Sequence, residues 1–422
     1  SAQDIAVVAD RVNIDLLSGV ASASGFLPPE INDQLRQYSL KGAFENLNIS
    51  SSLANDELKT LALSSNVRAV AANSVGGSPN LAGIDGFVEL EFDASTGIVS
   101  GVGEIESSNF SMNFPNIFSS TWDYGYVNGA LDFMIDISDG QEIRLRSSVI
   151  VAESNAVDAH AQFASYLRRY PDGRRESELD LYVGASRLDG QQKNLYLPDG
   201  PNIADGLRNT MQWLDKAVLA GDVSNAGIIY RGSTLPGVSV ELKTFQSYFE
   251  IEQGQLLFSE DWPEINDLSA LVFTADNDVD VEIRGGRSLN LSLDGASGEV
   301  RQNLDDESWL SITGNVNGLT SDGLTYLQNA GVGENLKEEF SGWQVQGGFK
   351  MDVDVNIPLG VPDAETKVRL EMSVLENQLT LPEYSLTVSQ LSGPVIFDTE
   401  TGVEETSLSG NIFGRPANFI LS

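Results

Sequence analysis

Apolar and polar residues alternate along WQVQGGFKMDVDVNIPLG, residues 343–360. Trp343, Val345, Phe349, Met351, Val353, Val355 and Ile357 fall on one face of an extended chain, and Gln344, Gln346, Lys350, Asp352, Asp354 and Asn356 on the other. Such a strand would span roughly 50 Å, against ~17–20 Å for an ordinary one. The sheet is therefore either unusually wide or bent at Gly347 and Gly348. Related strands recur at LKGAFENLNI (40–49), IDGFVELEFD (84–93), YVNGALDFMIDI (126–137), LSALVFTA (268–275) and LSGPVIFD (391–398). In each, a glycine or alanine is followed by apolar residues two apart, which reads as a degenerate repeat of a few strands. Residues 249–283 and 370–408 share a longer order of features, an alternating strand, a short apolar strand, a proline-marked turn and the same signature, which points to duplication.

Helical periodicity is sparse. Ile203, Leu207, Met211, Leu214 and Val218 recur at spacings of three and four and predict a helix over 200–221, with Gly221 as its stop. The prolines of PPEINDQLRQY predict a short helix near 28–38, and SDGLTYLQNAG with VGENLKEEF predicts a helical pair over 321–340. These helices are too few to cover the apolar face of the predicted strands. That face must close on itself, on a second sheet or on a ligand. The fold expected is mainly β, an elongated and largely antiparallel repeating sheet with a few short helices. Residues 1–199 and 200–422 form its two segments, joined in one continuous architecture.

Composition narrows the function classes. Among 422 residues, 61 acidic and 25 basic side chains leave a net charge of −36, which opposes nucleic acid and anionic membrane surfaces. No nucleic-acid partner is expected. Without cysteine there is no disulfide framework, thiolate metal site or cysteine nucleophile. The strand-like start and finish, with no basic and apolar leader, suggest a segment cut from something longer.

Candidate chemistry is thin. The one histidine, His160, shares parity with Asp158 and Gln162 and reads as a solvent-facing residue, and no GxSxG elbow accompanies it. No catalytic residue is assigned. Asp276, Asp278, Asp280 and Glu282 share a face opposite Val279, Val281 and Ile283, a solvated strand face without the loop spacing of a calcium site. No metal site or cofactor is expected, and no phosphate-binding glycine loop is present. Arg144, Arg146, Arg168, Arg169, Arg174 and Arg175 concentrate the basic charge, as a turn with exposed side chains or as a head-group contact. The long apolar face reads either as a sandwich core or as a groove for lipid chains, where each sheltered CH₂ is worth about 0.8 kcal/mol.

Three stretches, MQWLDKAVLAGDVSNAGIIYRGSTLPG (211–237), FEIEQGQLLFSEDWPEINDLSALVFTADNDVDVEIRGG (249–286) and LSGPVIFDTETGVEETSLSGNIFGRPANFILS (391–422), resemble in their order the YhdP family of AsmA-like, TamB-related proteins of Gram-negative bacteria. The markers are the helix ending WLDKAVLAG, the turn at Asp261, Trp262 and Pro263, the strand-to-helix run TGNVNGLTSDGLTYLQNAG and the closing FGRP, over about residues 200–422, with a looser match before them. The resemblance implies a periplasmic bridge, anchored in the inner membrane by a helix absent from this chain, whose curved sheet forms a groove with a hydrophobic floor. It further implies phospholipid acyl chains as the ligand and the inner and outer membranes as partners through flanking segments. On strand parity, the floor would be lined by Trp343, Val345, Phe349, Met351, Val353, Val355 and Ile357, with Leu271, Phe273, Val279, Val281, Ile283, Leu289, Leu291, Leu293, Val368, Leu370 and Met372. A structural or adhesive β-repeat and a polysaccharide-acting enzyme are the competing readings.

Overall fold

A computed structural model describes residues 2–17, 19, 33, 36–55, 57–138, 141–203, 205–235, 237–239, 242–257, 262–293, 295–302, 307–329, 342–359 and 364–421. The chain divides into two compact units, Ser1–Trp213 with Ala226–Phe245, and Leu214–Asn225 with Gln246–Ser422. The described residues are mainly β, and every strand pairing in the ladders below is antiparallel.

The earlier strands are β1 (Ala2–Asn13), β2 (Lys41–Ala54), β3 (Glu57–Ala72), β4 (Asn80–Asp93), β5 (Ile98–Ser107), β6 (Phe110–Asn113), β7 (Trp122–Tyr124), β8 (Tyr126–Asp136), β9 (Glu142–Ser147), β10 (Ile150–Glu153), β11 (Val157–Arg169) and β12 (Arg175–Asp189). They form a ladder β1-β2-β3-β4-β5-β8-β9-β11-β12. Strand β10 bridges β8 and β11, and β6 joins β4 to β7. Helix α1 (Asp205–Ala217) and strand β13 (Val218–Ser233) follow.

The later strands are β14 (Lys243–Leu256), β15 (Ile265–Ala275), β16 (Asp278–Ser288), β17 (Leu291–Ser292), β18 (Ser297–Gln302) and β19 (Ser308–Leu319), then helix α2 (Thr320–Asn329). After it come β20 (Gln344–Leu359), β21 (Lys367–Leu381), β22 (Leu386–Asp398), β23 (Gly402–Val403), β24 (Thr406–Ile412) and β25 (Arg415–Leu421). Their ladder runs β14-β15-β16-β18-β19-β20-β21-β22-β24-β25.

Four of the 61 acidic residues shape turns. Asp93, Asp136, Asp172 and Asp398 each end a strand or open a hairpin tip, and each accepts a hydrogen bond from the backbone N–H two residues on, at 2.8–3.0 Å. A short carboxylate that bonds its own backbone in this way favours a turn over continued strand. Hydrogen bonds from Ser95 hold the Asp93 carboxyl below its ordinary 3.8, and those from Ser138 do the same for Asp136.

The long strands bend where their register slips. Between Gln346 and Gly348 the β20–β21 ladder loses step, with Gly347 at φ +123 and Glu376 at φ 52. An extra residue in one strand of a pair kinks it and increases its twist. The same device recurs across the second unit, at Gln253 and Gly254 in β14, Asp267 in β15 and Gln390 in β22. Its placement supports the duplication. Positive-φ residues stand at Gln253 and Asp267 in the first copy and at Glu376 and Gln390 in the second, fourteen positions apart in each (267 − 253 and 390 − 376).

The first helix differs from expectation at both ends: it begins at Asp205, with turn and bend over 200–203. Helix α1 ends at Ala217 and not at Gly221, because the Ala217 carbonyl accepts from Leu257 N–H at 2.8 Å instead of from the next helical turn. Gly221, at φ +145, lies within β13, where a Cβ would stand 3.0 Å from the Gly254 Cα. Helix α2 matches the first half of the pair predicted over 321–340, and its second half lies outside the described residues. Of the helix near 28–38, Asp33 and residues 36–38 are described, as helix, and the remainder is not.

Candidate functional site

The ladder register decides which side chains share a face, because residues directly opposite in an antiparallel pair point the same way. In the second unit Phe249, Val272, Val281, Gly298, Ile312, Val355 and Val368 are successive partners, one per strand. Parallel to this row run Val279–Val300–Leu310–Ile357, Gly314–Val353–Leu370–Phe397 and Val316–Met351–Met372–Val395. Four strands, β19 to β22, thus carry an unbroken apolar surface, and β14 to β18 extend it. Most of its side chains, Val353, Val355, Ile357, Met351, Leu370 and Met372 among them, are half-buried.

One end of this surface is covered. Gly318, Phe349, Val374 and Gly393 form the next row, and there Phe349 and Val374 are buried with Leu291 and Leu408. Helix α2 covers them: a Cβ on Gly323 would lie 2.9 Å from the Phe349 ring, and Tyr326 packs on the same cluster. Burial raises the Tyr326 phenol above its ordinary value, while its ring meets Trp262 edge-on at 6.2 Å. The start of α2 is tied to the bulge, since the buried Asn377 amide donates to Thr320 Oγ1 at 2.7 Å.

The opposite face is charged. Glu250, Leu271, Glu282, Ser297, Thr313, Asp354, Arg369 and Asp398 are successive partners there. Arg284 bridges Glu250 and Glu282 at 3.2 and 3.3 Å, Arg301 pairs with Asp280, and Arg369 meets Glu371 and Glu404 at 2.8 Å. These ion pairs raise the Arg369 guanidinium further above its ordinary range, the Glu404 hydrogen bond first among the causes. Among the described residues no cluster of three or more histidine and acidic side chains is placed to hold a metal ion. Asp280 and Glu282 are engaged by arginines as part of this exposed face, and His160 is exposed on β11.

The predicted lining residues are therefore placed unequally. Val279, Val281, Ile283, Phe349, Met351, Val353, Val355, Ile357, Val368, Leu370 and Met372 share the apolar face, and Leu291, paired with Ser288, joins its covered end. Val345 pairs with Leu379 beyond the bulge, and Trp343 lies half-buried just before β20. Leu271 and Phe273 are a correction. Their partners are Glu282 and Asp280, so they stand on the charged face, Phe273 40% exposed, and Ala270, Val272 and Thr274 take the apolar side. Leu289 is also outside the rows, exposed at φ 52 in the turn between β16 and β17, and Leu293 is half-buried after β17.

The first unit carries a matching surface that parity reasoning passed over. Ile49, Leu63, Leu90, Gly101, Phe133, Leu145, Ser165 and Leu179 are successive partners from β2 to β12. The next row outward is Ser51–Leu61–Phe92–Val99–Ile135–Ile143–Leu167–Ser177. Its covered end holds Phe110, Tyr124, Val127 and Val157, with Trp122 and Tyr196 packed against them. The Trp122 indole donates to the Leu195 carbonyl at 2.6 Å, fixing the short 3-10 helix Gly190–Leu195 there. Burial pushes the Tyr124 phenol well above its ordinary 10.0.

The family model described as YhdP protein matches residues 1–422. No curated protein and no solved structure matches the chain. The match takes in the first 199 residues as well as the later stretches whose motifs carry the resemblance, and the chain belongs to the YhdP family.

Proposed function

We propose that this chain binds phospholipid acyl chains on the apolar faces of its two ladders and serves as part of a periplasmic bridge that carries lipid between inner and outer membranes. In the full-length protein the bridge is anchored in the inner membrane. The role is non-catalytic: acyl chains move along an apolar track while head groups remain in water, and the direction of movement is imposed from elsewhere. The observation that carries this reading is the set of apolar rows running through successive strands while the other face is charged.

Energetics favour it over a sheet closed on itself. The inner faces of a sandwich interdigitate and are buried, whereas Val353 and its neighbours are half-buried, leaving their outer surfaces free to meet a ligand. A sixteen-carbon chain would gain roughly 12 kcal/mol at full burial, an upper bound for one laid on the open rows, before the costs of ordering it.

Val353→Asp tests the proposal, because Val353 lies between Gly314 and Leu370 in the half-buried rows. A carboxylate there reaches water from an open face, so the expected loss of stability is about 1 kcal/mol, with lipid retention falling roughly tenfold. In a closed core the same charge would be unpaired and would cost several kcal/mol. Collapse of the melting transition in the variant, together with no lipid held by the wild type, would overturn the proposal in favour of a structural β-repeat.

A further inference from the structure

We propose that Arg169 and Arg175 form a phosphate-binding pair at the open end of the first unit's apolar face, holding the head group of a phospholipid whose acyl chains lie on the adjoining rows. The inference rests on the lipid-binding reading above and adds where the charged end of the ligand is held.

Strand β11 places Phe163, Ser165 and Leu167 on the apolar face, and Arg169 is the next residue of that parity. Its direct cross-strand partner is Arg175, which precedes Ser177 and Leu179 on the same face of β12. Two arginines directly opposite repel each other, and such pairs destabilise a ladder. Both are exposed. The nearby acids are engaged elsewhere: Glu142 by Arg144 at 2.6 Å and Arg168 at 3.7 Å, Asp172 by Arg174 at 2.7 Å, and Glu176 by the Tyr170 hydroxyl at 2.9 Å. Among the described residues neither Arg169 nor Arg175 has an acidic partner. In a chain of net charge −36 this is an unusual place to leave two cations side by side.

The backbone that carries the pair is held in place. The hairpin tip closes through Tyr170 N–H donating to the Arg174 carbonyl at 2.9 Å and Gly173 N–H to the Tyr170 carbonyl at 3.0 Å, with Gly173 at φ +88. The guanidinium groups of Arg168 and Arg174 both lie against Tyr170, 4.7 and 4.6 Å from its ring centroid. Arg169 N–H donates to the Gln141 carbonyl, which ties β11 to the approach of β9. Guanidinium groups match phosphate oxygens in a two-pronged geometry that neither water nor a lone lysine reproduces. Beside the pair, Leu167, Ile143 and Ile135 begin the apolar row that would take the first methylenes. The covered end of the face, at Phe110 and Val157, is at the other end of these strands, so the arginines stand where a head group could remain in water.

The test titrates fluorescent phosphatidylglycerol, and a fluorescent diacylglycerol of the same acyl length, onto the wild-type chain, Arg169→Gln/Arg175→Gln and Arg169→Lys/Arg175→Lys. The expected result is that the glutamine variant holds phosphatidylglycerol roughly tenfold more weakly than wild type, with diacylglycerol unchanged and the lysine variant intermediate. Equal losses for both lipids, or none for either, would overturn the head-group assignment while leaving the apolar track intact. If wild type binds neither lipid, the lipid-binding reading fails and this assignment fails with it. Should inorganic phosphate alone bind wild type and not the glutamine variant, while phosphatidylglycerol is held equally by both, the pair is a free-phosphate site and the head-group role is wrong.

Discussion

Gly347→Val is expected to lower the stability of the second unit by at least about 3 kcal/mol. The backbone there has φ +123, a conformation closed to β-branched residues, and a Cβ would stand 2.0 Å from Asn377 Oδ1 and 2.9 Å from the Asn377 Cα. Relief requires the β21 backbone to move, and with it the Asn377 amide that holds Thr320 at the start of α2. The cost is therefore a bulge, a helix anchor and the covered end of the apolar face together. Urea unfolding followed through Trp309 and Trp343 reads it, as a midpoint shift at unchanged slope. A shift within about 0.5 kcal/mol of wild type would mean that the bulge does not organise this unit.

Phe349→Ala is expected to cost about 3 kcal/mol, whereas Val353→Ala, two residues along the same face and four positions on in sequence, is expected to cost about 1 kcal/mol. Phe349 is 6% exposed and packed under α2 with Leu291, Val374 and Leu408, so truncation opens a cavity. Val353 has strand neighbours on either side and no comparable cover from α2, so little collapses when its methyls are removed. Thermal or urea unfolding of the two variants reads the contrast. Equal, large losses would show that the rows are as enclosed as the α2 end, which is the packing of a sandwich.

The alternation of residues 343–357 was legible because one face is apolar and the other polar at nearly every step, and β20 follows it. Its excess length was legible too, though not whether the sheet would be wide or bent: β20 runs sixteen residues, and its ladder with β21 slips between Gln346 and Gly348. Strand β15 was not, because LSALVFTA is apolar on both faces: Leu271 and Phe273 are larger than Ala270, Val272 and Thr274, and size alone favours the wrong side. A one-residue change of register turns every side chain over, and for such a strand only its partners Val281 and Glu282 decide. Bulges do the same within a single strand, so Leu291 reaches the apolar face by pairing with Ser288 after the slip beyond Ile283. The end of α1 was hidden for a different reason. Val218 continues the helical spacing, and the competing donor to the Ala217 carbonyl is Leu257 N–H, forty residues away (257 − 217). The Arg169–Arg175 pairing is equally invisible in a linear reading, where both are members of one basic run.

The central claim is that the apolar rows accept acyl chains, and native mass spectrometry of the chain, purified without detergent and repeated after solvent extraction, tests it most directly. The expected result is added mass in the phospholipid range that disappears on extraction, with phospholipids recovered in the extract. A clean mass for the unliganded chain, unchanged after incubation with phospholipid vesicles, would contradict the account and show the apolar faces to be closed.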